Sequence, residues 1–247
     1  MTPQVGTQPG RARELFRAGK LGEAVALLSV EVRNNPTDTR QRTFLFELLC
    51  FAGEYDRAEK QLDVIARNNQ QAAMGGLLYR SALHAERTRS EVFSTGDAPS
   101  DSPSRHVAGT LNGTAFESLV DADPRIGARL EVFAAGQYTW IPFEHIASVR
   151  MGPPKQLRDL LWAPAMVRVG PGFRGLELGE VLLPALTPLA ARHADDLVRL
   201  GRLTEWQELD DGTQAPIGQK LLLVDGEEFP ILEVRELEIV ATAQEGD

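Results

Sequence analysis

The chain has 247 residues, of which 43% are hydrophobic, enough to build real cores, so disorder is excluded as the default state. Its net charge of -9 is uneven: residues 1–95 hold 13 Lys/Arg against 11 Asp/Glu and the rest 13 against 24, which argues against nucleic acid as a partner. No run approaches the roughly 20 apolar residues of a membrane span, and the first ten residues lack the charged and apolar parts of a signal peptide, so a cytoplasmic chain with no membrane partner is expected.

Residues 11–93 read as about five helices, with breaks at Gly19, at Asn34-Asn35-Pro36, at Gly53 and around Asn68-Asn69. Within them Gly19-Lys-Leu-Gly-Glu-Ala-Val-Ala-Leu-Leu28 returns 34 positions later as Gly53-Glu-Tyr-Asp-Arg-Ala-Glu-Lys-Gln-Leu62, keeping Gly19/Gly53, Leu21/Tyr55, Ala24/Ala58 and Leu28/Leu62 in register. That spacing is the period of the tetratricopeptide helix-turn-helix repeat, a hairpin that must stack on a neighbour to bury its apolar face. Glycine ends one helix in a tight turn, alanine sits where two axes come closest, and the leucines fill the groove between hairpins. Pro36 closes the first copy, while the second has Gln70 at that place. In the last helix Met74, Leu77, Leu78, Ala82 and Ala85 recur on one face, predicting that Gln71–Phe93 caps the pair. The lone cysteine, Cys50, lies in the apolar run 44–51 and reads as a packed thiol.

From Ser94 to Arg105 the sequence turns polar and proline-bearing, which places a linker at 94–106 between a helical domain, 1–93, and a second domain, 107–247. There the period becomes alternating, as in Leu130-Glu-Val132, Tyr138-Thr-Trp140, Ala147-Ser-Val149-Arg-Met151 and Phe229-Pro-Ile231. Ala135-Gly136 and Asp225-Gly226 signal hairpins. Leu157–Trp162 reads as a short helix and Leu189–Arg202 as an amphipathic one. The expected class is α+β: all-α tetratricopeptide-like hairpins followed by a mostly antiparallel, β-rich domain.

Catalytic and metal chemistry finds little support. Gly170-Pro-Gly172-Phe-Arg-Gly175 matches a dinucleotide fingerprint literally, but no helix follows to face a phosphate, so a hairpin loop is the better reading. His84, His106, His145 and His193 lack metal-ligand spacing. Asp121 and Asp123, beside Pro124, read as turn formers rather than an acid-base pair. No serine elbow or phosphate loop is present, so no catalytic, cofactor or metal site is assigned.

The repeat register instead points to protein binding. The first helix of each pair lines the concave face, at Arg13 and Phe16 in one copy and Arg40, Thr43, Glu47 and Cys50 in the next, a groove suited to an amphipathic helix. Phe16 and Cys50 serve equally well as core residues. In the second domain Trp140 reads as core and Trp162 as the surface candidate, with Arg158-Asp159 beside it as a recognition pair or a local ion pair.

Taken together, the run Thr43–Asp63, the Arg-Ser-Glu-Val-Phe93 ending, Asp121–Glu131, Tyr138–Glu144, Leu157–Pro164 and Thr204–Gln207 resemble the ImpE/TagJ-type accessory proteins of bacterial type VI secretion systems. The resemblance implies a non-enzymatic adaptor whose partners are a helix near the N-terminus of the small subunit of the contractile sheath and the unfoldase that recycles the sheath. It also leads to an expected further helical repeat where this chain has its Ser/Pro segment. A general repeat scaffold with a C-terminal dimerisation module is the alternative.

Overall fold

A computed structural model describes residues 10–68, 70–96, 107–170 and 178–240; the side chains of 68 and 70–74 are not described. Asn69, Met74's place on the helix face, most of the linker and the glycine loop beyond Gly170 therefore lie outside the described residues.

The N-terminal part is helical: α1 (Arg11–Arg17), α2 (Leu21–Asn34), α3 (Thr39–Phe51), α4 (Tyr55–Asn68) and α5 (Gln70–Thr95). The 34-residue echo is structural down to single hydrogen bonds. Gly19 N–H donates to Phe16 O (3.0 Å) and Lys20 N–H to Leu15 O (2.9 Å); one repeat later Gly53 donates to Cys50 O (3.1 Å) and Glu54 to Leu49 O (2.9 Å). Both glycines take the left-handed conformation that ends a helix this way, with φ of 78° and 70°. Ala24, Ala58, Leu28 and Leu62 are all buried, as their register requires. The Asp38 side chain opens α3 by accepting from Gln41 N–H at 3.0 Å.

The remainder is a mostly antiparallel β structure. Its strands are β1 (Ala108–Leu111), β2 (Thr114–Phe116), β3 (Leu119–Asp121), β4 (Arg129–Ala134), β5 (Gln137–Pro142), β6 (Ile146–Met151), β7 (Trp162–Val169), β8 (Gly179–Pro184), β9 (Glu205–Glu208), β10 (Gln214–Ile217), β11 (Leu221–Val224), β12 (Glu227–Pro230) and β13 (Glu236–Val240). Eight form one sheet in the order β2-β1-β13-β6-β7-β8-β4-β5, beside a three-stranded sheet β12-β11-β3 and the β9–β10 hairpin. Both expected hairpins are present. Ala135-Gly136 and Asp225-Gly226 turn with two successive positive φ angles, as does Asn112-Gly113, matching the right-handed twist of the strands they join. β7 pairs antiparallel with β8; the hairpin loop expected in the glycine-rich segment between them falls on residues 171–177, outside the described residues.

Two expected helices need correction. Leu157–Leu160 is a single 3-10 turn, after which the chain enters β7 at once. Leu189–Arg202 holds a 3-10 turn, Ala190–Arg192, and one α turn, α6 (Asp196–Arg199), separated by extended His193. Tertiary hydrogen bonds override its helical period. The Asp196 carboxylate accepts from Gly22 N–H at 2.9 Å, Arg199 donates to Ala52 O at 3.2 Å, and Arg202 to Arg17 O at 2.9 Å. Leu197 packs directly on Gly19 and Ala191 on Gly53, so this segment rests on the turns of both repeats.

The large sheet buries both faces along β4 and the second half of β8, while the edge strand β5 stays partly exposed. Leu130 and Val132 point into the sheet's own core, whereas Phe133 and Leu182 join Trp162, Leu186, Ala190 and the helices in a second apolar cluster. α5 runs along β5 and closes that side.

Candidate docking groove

The side-by-side first helices of the two repeats leave a groove of about 470 Å³. From α1 come Arg13, Phe16 and Arg17; from α3 come Thr39, Arg40, Thr43, Phe44 and Glu47; Leu157 of the β part closes one end. Its floor is aromatic, Phe16 and Phe44 meeting edge to face at 5.8 Å. The Arg13 guanidinium lies 4.7 Å over Phe44 and that of Arg202 4.6 Å over Phe16. The register thus brings Arg13, Phe16, Arg40, Thr43 and Glu47 together. Arg17 and Phe44 follow from it one helical turn on, while Leu157 and Arg202 arrive from far along the chain with no sequence signal.

Glu47 supplies the groove's acid. Burial pushes its carboxyl up, against the pull of Arg158 and Arg13. Arg158 donates to it at 3.1 Å and also caps Tyr79, lying 4.8 Å over the ring and donating to the phenol oxygen. Arg158 therefore reaches the groove's edge beside Leu157, but Asp159 and Trp162 do not line it. Asp159 turns back to accept from Lys155 and Gln156 N–H (2.8 and 2.9 Å).

The tryptophan placements are also corrected. Trp162 is 2% exposed, stacked on Tyr79 at 6.2 Å and donating to Glu86 at 3.1 Å, because α5 covers the start of β7. Trp140, expected in the core, is half-buried on the edge strand β5 between Phe93 and Arg129. Cys50 is buried and does not line this groove.

Where α5 covers β4 lies a charged cluster that the sequence did not announce. Arg89 of α5 grips Glu131 of β4 with two bonds of 2.8 Å and also reaches Leu186 O (3.0 Å) and Glu86 (3.2 Å). Lys220 bonds Glu131 at 2.6 Å and pairs with Asp121; Tyr138 adds a third donor to Glu131. All four charged members are at most 3% exposed. Burial alone would raise the Glu131 carboxyl, but Arg89 and Lys220 hold it well below the usual carboxylate range. Asp121 goes the other way, to about 6, since burial and the nearby Glu131 charge outweigh Lys220. The turn role read for Asp121 and Asp123 also holds: Asp121 accepts from Asp123 N–H and Asp123 from Arg125 N–H, both at 3.0 Å. The groove between α1 and α3 is lined by none of Asp121, Asp123 and His145.

The Asp121 shift has a measurable consequence. Its folded pKa lies above the unfolded value of 3.8, so its contribution is fully present below that pH and is lost as pH rises through about 6. Relative to Asp121→Asn, the wild-type chain should lose on the order of 3 kcal/mol between about pH 4 and 6. Parallel stability curves from urea titrations across that range would refute it.

Comparison with known proteins fits this architecture. A family profile described as ImpE protein matches residues 113–238. The type VI secretion system accessory component TagJ of Pseudomonas aeruginosa is 33% identical over 265 residues, covering 94% of this chain and 92% of its own. That span exceeds the 247 residues here, so the relative carries extra residues within it. A crystal structure of a Vibrio parahaemolyticus protein shares the fold, with a TM-score of 0.82 at 22% identity over 94% of this chain and 98% of that one. Profile, near-full-length relative and residue motifs agree: the chain belongs to the ImpE family.

Proposed function

We propose that this protein is an accessory component of a type VI secretion system, a cytoplasmic, non-enzymatic adaptor that holds a helix of the small sheath subunit and links it to the sheath-recycling unfoldase. The observation that carries this reading is the 33% identity to TagJ along nearly the whole of both chains. The groove supports it physically: helix side chains and an aromatic floor line it, a surface that suits one face of an amphipathic helix. The test is capture of the purified small sheath subunit, intact and with its N-terminal helix deleted, on the immobilised chain. Retention of the intact subunit alone, with the unfoldase joining the complex when added, is the expected result. Equal capture of both forms, or of neither, would overturn it.

A further inference from the structure

We infer that the groove between α1 and α3 selects a helix with an acidic face, through an arginine rim that both halves of the chain build together. This rests on the helix-holding reading above and adds what the helix must look like.

The charges are lopsided. Arg13, Arg17 and Arg40 line the groove, and among the described residues none of the three forms a close ion pair, Arg13 acting on Glu47 only at longer range. Arg158 and Arg202 approach from the β part, and Glu47, the acid lining the groove, is already engaged by Arg158. Arg57, Arg80 and Arg87 are each neutralised by acids of their own region, whereas Arg13, Arg17 and Arg40 are exposed. A ligand with carboxylates on its flanks would complete these pairs, and one with lysines there would meet like charge.

The occupant's secondary structure follows from the lining. Helix side chains and one 3-10 residue form the walls, with no unpaired strand edge among the described residues. An extended peptide would leave its backbone donors and acceptors unmet here, whereas a helix satisfies its own. Between the flanks, the Phe16–Phe44 floor calls for an apolar or aromatic anchor.

Arg158 and Arg202 act as positioning residues. Arg202 ties Arg17 O at 2.9 Å while covering Phe16, and Arg158 ties Glu47 to Tyr79. They hold the floor and the acid in place, so the groove is complete only in the full chain.

The test uses two synthetic helix-stapled peptides sharing one leucine/phenylalanine stripe, flanked by glutamates in one and lysines in the other, titrated against the full chain by fluorescence anisotropy. The acidic peptide should bind more tightly by on the order of a hundredfold, and its affinity should fall with salt. Arg40→Glu should abolish that preference without unfolding the protein: Arg40 is exposed in the first turn of α3, where an acid is favoured by the helix dipole. Equal binding of the two peptides, or an Arg40→Glu protein that keeps the preference, would overturn the inference. Capture of the sheath subunit without acidic-peptide binding would sink this inference alone; acidic-peptide binding without sheath capture would sink the sheath reading and leave the groove's selectivity standing.

Discussion

Glu131→Gln should lower the unfolding free energy by on the order of 3–5 kcal/mol, the range seen when one partner is removed from a buried ion cluster. The carboxylate is fully buried and accepts from Arg89, Lys220 and Tyr138 at once. An amide of the same shape keeps the volume but offers an N–H pair to groups that are themselves donors, and leaves Lys220 with Asp121 and Arg89 with Glu86 as their remaining acidic partners. Since Glu131's folded pKa is depressed, its contribution is present above the ordinary carboxylate range and is lost only as pH falls through the folded value. Urea titrations should therefore show the gap at neutral pH and its closing only in strong acid. A loss below about 1 kcal/mol at pH 7 would mean that the cluster is wet and weakly coupled.

Trp162→Ala is expected to cost about 3–5 kcal/mol as well, by another mechanism. The indole is 2% exposed and sits where β7 meets the helices, stacked on Tyr79. Truncation opens a cavity between the two halves and takes away the Glu86 donor. Trp162→Phe separates these effects: it restores most of the apolar contact and loses only the N–H, so its cost should be nearer 1 kcal/mol. Thermal melts of the three proteins decide this. If the alanine variant melts within a degree or two of wild type, the packing described here is wrong.

What could be read from the sequence was what depends on neighbours close along the chain. Glycine turns, alanine contacts and hairpins follow from local spacing, and the groove residues Arg13, Phe16, Arg40, Thr43 and Glu47 follow from a 34-residue register. Glu131 could not be read this way. It occupies the polar place in an alternating strand, which normally faces water, and is buried only because α5, whose Arg89 lies 42 positions earlier, covers that face. Trp162 is buried for the same reason. The segment Leu189–Arg202 does not form one helix because its apolar period serves contacts with two distant turns rather than one helix face.

Those contacts give the molecule a mechanical property. Stacked hairpins are ordinarily springs whose pitch follows neighbour-to-neighbour contacts alone. Here Leu197 and Ala191 wedge against the first and second turns from a single segment, so the pitch is dictated from outside the stack. A change of pitch between the two hairpins would therefore have to break contacts with Ala191 and Leu197, which lie far along the chain.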